Sequence, residues 1–355
     1  MKIGIVGLPF SGKTTIFEAI TGAHGAAIEH GTATHEATVN VPDDRIDILA
    51  KSVNPKKVTY ALVDFVDIRG VASDMKREEV VTVLSSLREV DGLAHVVRWF
   101  ESPSATPHPR GTLDPKRDIA EIELELCFAD LDIVERRMEK LHKQLLRGQE
   151  VEKAKRELAL MERLKATLEA GKRIGGLNLT QEESATLRSY QFLSEKPMFY
   201  ILNVHEDALQ KPETKAMAES LGPNTIVIAA RAEKEIAELD PAERAEFLQD
   251  LGIGEPAAKR VISAGYAAIG LRSFLTQGEP EVRAWTINAG DTAVVAAGKI
   301  HSDIARGFIR AEVTSWADFT KHGSMKEAKN QGCQRLEGKE YVMADGDIVL
   351  FRFKV

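Results

Sequence analysis

Lys2-Ile3-Gly4-Ile5-Val6-Gly7-Leu8-Pro9-Phe10-Ser11-Gly12-Lys13-Thr14-Thr15 decides how the rest of the chain reads. An apolar run ends at Val6, a glycine-bounded loop follows, and Thr14 to Ile20 begins a helix-like segment. The order is strand, loop, helix. The loop fits the pattern GxxxxGK[ST]. Its glycines let backbone amides curl around phosphate oxygens, and the following helix turns its positive end toward them. Gly7, Leu8, Pro9, Phe10, Ser11, Gly12, Lys13, Thr14 and Thr15 are therefore candidate phosphate-binding residues. Lys13 is expected to reach the β- and γ-phosphates, and the Thr14 hydroxyl to ligate Mg²⁺.

Two further motifs lie where such a loop needs them. Asp67-Ile68-Arg69-Gly70 ends a β-rich run, Val58 to Asp67, and matches DxxG. In nucleotide switches of this kind the aspartate holds Mg²⁺ through water and the glycine amide senses the γ-phosphate. Asp64 competes for the role but has no glycine three residues on. Asn203-Val204-His205-Glu206 follows the apolar run Met198 to Leu202. Guanine-reading relatives carry Asn-Lys-x-Asp there, with the aspartate accepting from guanine N1–H and the 2-amino group. Here Val204 replaces the lysine and Glu206 the aspartate, so the guanine-selecting device is lost. Thr32 and Thr34 both fit the magnesium-linked threonine of the first switch, and Thr34 is placed in the candidate metal set with Thr14 and Asp67.

Short apolar runs at Leu93 to Trp99, Met198 to Leu202 and Thr225 to Ala229, separated by helical patterns, suit a parallel α/β sheet buried on both faces. The alternation stops at Asp114-Pro115. Leu124, Cys127, Leu131, Val134, Met138, Leu141 and Leu145 then form a heptad seam, broken at Gly148, and a second helical pattern runs from Val151 to Leu168. Two helices joined by a short break predict an antiparallel hairpin inserted into the α/β domain. From about Glu281, β-type runs at Val282 to Ile287, Gly307 to Val313 and Ile348 to Phe353 predict a small α+β domain.

A chain of 355 residues with 43% apolar and 28% charged residues predicts two or three globular domains. A net charge of -7 speaks against a wholly electrostatic nucleic-acid binder. Two distant cysteines, Cys127 and Cys333, fit a reducing cytoplasm rather than a disulfide framework. No signal peptide and no bilayer-spanning run is read, so neither a membrane nor DNA is expected as a partner.

On these motifs the sequence resembles the YchF/Obg-like ATPase family. The likeness extends through Val41-Pro42-Asp43-Asp44-Arg45, Val97-Arg98-Trp99-Phe100-Glu101, Asp114-Pro115-Lys116-Arg117-Asp118-Ile119, Arg283-Ala284-Trp285-Thr286-Ile287, Ala297 to Asp303, Gly307 to Val313, and Asp345-Gly346-Asp347-Ile348. It implies a P-loop NTPase (GTPase-like) domain over 1–113 and 195–278. It also implies a helical coiled-coil insertion over 114–194 and a C-terminal ubiquitin-like (β-grasp) TGS domain over 279–355. It further implies ATP in preference to GTP, ATP hydrolysis, and association with the ribosome through ribosomal RNA or protein. Mg²⁺ as cofactor is expected from the motifs, a cytoplasmic location from the cysteines, and slow turnover from the glycine-poor stretch Val71 to Asp91. The base-binding residues carried over are Asn203, Val204 and Glu206, with Gly70 at the γ-phosphate. The family has a hydrophobic residue where many GTPases place a water-orienting glutamine, and Val71 matches it. The family's proposed catalytic loop histidine falls on His108.

The chain departs from the family at Phe10-Ser11, where Asn-Val is usual, and in having no glycine from Val71 to Asp91. The apolar positions Val80, Val81, Val83, Leu84 and Leu87 predict a helix from about Lys76 to Glu89 and a short, stiffened switch. The alternatives to a hydrolysing ribosomal regulator are a nucleotide-dependent ribosome- or RNA-binding adaptor with negligible turnover, and a GTPase switch. The positive residues Arg136, Arg137, Lys140, Lys143 and Arg147 of the hairpin read as a solvated face, or as an RNA-facing edge.

Overall fold

The computed structural model describes residues 1–22, 34–68, 77–101 and 106–354, apart from the side chains of Thr34, Arg77, Pro241, Ala242 and Ala245. The expectations placed on Thr32, Gly70 and Val71 lie outside the described residues, as does the expected role of the Thr34 side chain.

The strands are β1 (Lys2–Val6), β2 (Thr34–Asn40), β3 (Val58–Thr59), β4 (Leu62–Ile68), β5 (Gly92–Trp99) and β6 (Met198–Val204). They continue with β7 (Thr225–Ile228), β8 (Leu271–Thr276), β9 (Val282–Asn288), β10 (Phe308–Thr314), β11 (Arg335–Glu337) and β12 (Ile348–Phe353). The helices described below are α1 (Lys13–Thr21), α2 (Asp44–Val53), α3 (Arg77–Arg88), α4 (Pro115–Leu146) and α5 (Val151–Glu169). By internal packing the chain divides into Met1–Ala37 with Asp64–Val261, and Thr38–Val63 with Ile262–Val355.

The first unit is built on a sheet of order β2-β4-β1-β5-β6-β7, with β4, β1, β5, β6 and β7 running parallel. Strand β5 is buried along almost its whole length because β1 and β6 flank it and helices cover its faces, hence its near-continuous apolar sequence. Carboxyl ends of parallel strands are where ligands bind in open α/β sheets. Gly7, Asp67, Arg98 and Asn203 all stand at those ends.

Helix α4 starts as its sequence dictates. The Asp114 side chain accepts from the Arg117 amide at 3.1 Å, and Pro115 occupies the first turn, where no donor is needed. Its first half presses Ile119, Ile122 and Leu126 onto the sheet, and its second half packs Val134 and Leu141 against Met161, Leu164 and Leu168 of α5. The expected seam therefore holds from Cys127 onward. Leu124 leaves it and is 41% exposed. At that level α4 leans on the sheet, through the flanking positions 122 and 126.

Val58 to Asp67 is not one strand. The chain breaks at Tyr60-Ala61, and its two parts join different sheets: β3 pairs with β9, and β4 with β1. The second unit holds a sheet of order β11-β10-β12-β8-β9-β3 over a core of Phe274, Ile287, Phe308, Val313 and Phe351. The expected boundary at 278/279 falls between β8 and β9, which pair antiparallel from Leu271↔Asn288 to Thr276↔Arg283, so the C-terminal part of this sheet begins at Leu271, with β3 joining it from earlier in the chain. Within the same unit Arg45 anchors the segment around α2. Its guanidinium donates to Asp43 at 2.8 Å and to Asp345 at 2.8 Å. No described helix is long and apolar enough to cross a membrane.

Candidate nucleotide site

The loop after β1 closes over glycine positions that no other residue fills. Gly7 has φ +149°, and a Cβ there would run into the Val96 carbonyl. Gly12 has φ +95°, and a Cβ there would strike the Asn203 amide nitrogen. Between them the Ser11 amide donates to the Leu8 carbonyl at 3.3 Å. Pro9 and Phe10 occupy the middle of that turn, with Phe10 at φ +62°, the arrangement of a type II turn. Phe10 thus sits where glycine or asparagine is the easier residue, its side chain 57% exposed. Leu8, by contrast, turns its side chain into the core and offers the site only its backbone.

Lys13 is buried, and its Nζ donates to the carbonyls of Gly7 at 3.0 Å and Leu8 at 2.9 Å. Burial pulls its ammonium down to about 8, against the opposing attraction of Asp67. Thr14 Oγ1 donates to Asp67 Oδ2 at 2.7 Å, so two of the three oxygen groups placed in the candidate metal set from sequence lie together. A hydroxyl beside a carboxylate is a donor set suited to a small hard cation.

Asn203, a candidate for the base loop from sequence, acts as a brace. Its Nδ2 donates to the Ser11 carbonyl at 2.9 Å and its Oδ1 accepts from the Ala230 amide at 3.1 Å. One side chain therefore fixes the phosphate loop against the turn after β7. Beside it opens a cavity of about 730 Å³ lined by Gly12, Thr15, Phe100, Val204, Glu206 and Arg231 among others, a size usual for small-molecule sites. At its rim Lys234 is paired with Glu18 of α1 at 2.7 Å. Glu206 is exposed, in a short turn of helix Glu206–Ala208.

His108 is placed differently from a free loop histidine. It is buried, its Nε2 lies 2.9 Å from Asp118 Oδ2 on α4, and its Nδ1 accepts from the Arg110 amide at 3.1 Å. With Nδ1 accepting, the proton belongs on Nε2 and points at the carboxylate. Asp118 is also held by Arg117 at 2.8 Å. Both ring nitrogens are thus engaged, one by Asp118 in the first turn of α4 and the other by the Arg110 amide in the loop before it. Sequence reasoning gave no part to Arg98 beyond its place in a signature segment. A cation near the end of a mostly apolar strand was the signal available.

An anion cradle at the carboxyl end of a central strand is how P-loop nucleotide-binding proteins hold phosphate, and this chain is of that class. Comparison with known proteins agrees. A family model described as "50S ribosome-binding GTPase" matches residues 2–129, and one named YchF-GTPase_C, described as "Protein of unknown function (DUF933)", matches residues 271–354. The chain belongs to the YchF family. It is 42% identical to the "Ribosome-binding ATPase YchF" of Haemophilus influenzae, over all of this chain and 99% of that one. It is 40% identical to the protein of that name from Bacillus subtilis, over the full length of both. It is also similar to the solved "Schizosaccharomyces pombe YchF GTPase", with a TM-score of 0.84 at 30% identity, over 99% of this chain and 97% of that one.

The state of Lys13 leads to a pH test. Its folded value of about 8 lies below its unfolded one of 10.5, so at pH below 8 its charge opposes folding. That penalty is relieved as pH rises from 8 to 10.5. A bound triphosphate acts in the opposite sense, because it demands the ammonium. Nucleoside triphosphate binding at about pH 8.5 should take up a proton and weaken as pH rises further. Titration calorimetry in buffers of differing ionisation enthalpy reads this directly. Absence of proton uptake would contradict the account of Lys13.

Proposed function

We propose that the chain binds ATP with Mg²⁺, hydrolyses it slowly, and works on the ribosome in the cytoplasm. The observation that carries the reading is full-length similarity to relatives named ribosome-binding ATPases, in a chain whose base loop lacks the guanine-reading lysine and aspartate. Val204 and Glu206 stand in their places, and Glu206 would confront the N1 acceptor of adenine badly if it acted as the guanine-reading aspartate does. We therefore assign it no such contact and assign Asn203 to the base side of the phosphate loop. Thr14 and Asp67, with Thr34, are the groups that would hold Mg²⁺, whose chemistry would be to screen the β- and γ-phosphate oxygens. Gly70 and Val71 are assigned to the γ-phosphate and to the position of the missing glutamine.

His108 is assigned to the chemistry of hydrolysis, and reaching a phosphate would require it to leave Asp118. The two-helix segment of α4 and α5 is read as a coiled-coil insertion, and the C-terminal unit as a TGS domain. Single-turnover phosphate release, with labelled ATP competed by unlabelled GTP, tests the function. ATP should bind at least about tenfold more tightly than GTP. The His108→Ala variant should bind ATP as before and turn it over about a hundredfold more slowly. A GTP preference would restore the switch-GTPase reading. Binding without phosphate release would favour the adaptor. Equal turnover in the variant would remove His108 from the reaction.

A further inference from the structure

Arg98, the penultimate residue of β5, is only 4% exposed, and each of its hydrogen-bond partners among the described residues is a backbone carbonyl. Nε donates to Phe100 at 3.1 Å, and Nη1 donates both to Thr106 at 2.8 Å and to Phe10 at 3.4 Å. The guanidinium also lies over the Phe100 ring, 4.5 Å from its centre. Three separate stretches of chain therefore meet on one planar cation. The first is the turn of the phosphate loop, the second the strand end that lines the nucleotide cavity, and the third the segment that reaches His108 two residues later.

Packing alone does not account for an arginine here. Burying a guanidinium is costly unless its donors are used, and a packed apolar side chain would serve a core better. What the arginine adds is a rigid fork. The carbonyl it holds in the phosphate loop belongs to Phe10, a non-glycine residue with φ +62°. A residue held in that region persists when its surroundings over-determine it, and such strain gathers at functional sites. Lys13 and the Ser11 carbonyl at the end of the turn are held by other means, Lys13 by the Gly7 and Leu8 carbonyls and Ser11 by Asn203, whereas the Phe10 carbonyl is held by Arg98. The fork of Arg98 thus touches the outer turn of the loop rather than the cradle itself.

We propose that Arg98 is a positioning residue for hydrolysis, fixing the Leu8–Ser11 turn of the phosphate loop and the segment entering His108 in one register. The inference rests on the ATPase reading above for its consequence in turnover, but not for the strut itself. Loss of the strut leaves the cradle in place and lets the outer turn and the 106–108 segment move apart. The effect therefore falls on the chemical step more than on nucleotide affinity.

The experiment compares the full chain with Arg98→Ala, Arg98→Lys and Arg98→Ala/His108→Ala. Arg98→Lys keeps the charge and loses the fork, and it serves also if the alanine variant fails to fold. Single-turnover phosphate release should fall at least about tenfold in both Arg98 variants, while the ADP dissociation constant moves less than about threefold. The double variant should be no slower than His108→Ala alone, because the two act through one segment. Hydrogen exchange without nucleotide should quicken at the amides of Phe10, Ser11, Thr106 and His108 and stay unchanged in α5. Unchanged exchange at 106–108 would overturn the strut even if no ATP were hydrolysed. Full rescue by lysine, or additive effects in the double variant, would overturn the positioning role. An unmodified chain that fails to hydrolyse ATP but shows the exchange difference would sink the ATPase reading and leave the strut standing.

Discussion

Replacing Lys13 with alanine should abolish measurable Mg-ATP binding while the chain stays folded. The ammonium is already aimed into the loop by the Gly7 and Leu8 carbonyls, so no ordering is required when phosphate arrives. Charge-assisted hydrogen bonds contribute about 1.5–3 kcal/mol each, and two to the β- and γ-phosphates give roughly 3–6 kcal/mol. That corresponds to about a 10²- to 10⁴-fold loss of affinity. Stability should move the other way. Burial holds the Lys13 ammonium down to about 8, so at neutral pH the charged form is disfavoured by folding, and its removal should raise the melting temperature slightly. Titration calorimetry and a thermal scan of the same preparation separate the two effects. Affinity that survives would refute the phosphate-site assignment. Affinity lost together with the fold would show that Lys13 holds the loop rather than the ligand.

The residues that could be read from sequence are those whose chemistry demands a fixed spacing. Gly7, Gly12, Lys13 and Thr14 share the spacing that a phosphate loop requires, and Asp67 its place at a strand end, so the pattern picked them out as candidates. The helix expected from about Lys76 to Glu89 appears as Arg77–Arg88 because its apolar positions recur with helical period. What escaped were contacts made across long sequence separations. Nothing local marks Arg98 as a fork for Phe10 and Thr106. His108 read as a loop residue, because its burial depends on Asp118 and on the folding back of Arg110. The break at Tyr60-Ala61 was invisible because both parts of the run are β-prone. Only the partner strands, β9 for one and β1 for the other, separate them. Leu124 shows the same limit, since a heptad is a statement about a partner helix and there the partner is a sheet.

Asp130 was likewise hidden in the α4 pattern, and its loss should be the most damaging single change to the first unit. It is fully buried, and it accepts from the Leu193 amide at 3.0 Å, the Ser194 amide at 2.7 Å, the Ser194 hydroxyl at 2.8 Å and Arg88 Nη1 at 3.1 Å. Arg88 is the last residue of α3 and also donates to the Gln191 and Ala129 carbonyls, at 3.1 Å and 3.2 Å. Lys196 Nζ donates to the Arg88 carbonyl at 3.0 Å. The end of the helix that follows the switch segment is thereby bolted to α4 and to the 191–196 loop. With Asp130→Ala, two buried amides, a hydroxyl and a guanidinium lose one acceptor together. Removing one partner of a buried ion pair costs about 3–5 kcal/mol, which for a unit of this size lowers the melting temperature by roughly 6–20 °C. Asp130→Asn keeps the shape but not the charge, and should lose less, about 1–3 kcal/mol. A helix pinned in this way at its C-terminal end is expected to change little with the ligand. In the intact chain, exchange across residues 77–88 should differ little between ADP and a non-hydrolysable ATP analogue, and in Asp130→Ala protection there should fall in both. A melting temperature within about 2 °C of the parent would show that the donors find other acceptors. A strong ligand-dependent change across 77–88 in the intact chain would show that the clamp does not confine the switch.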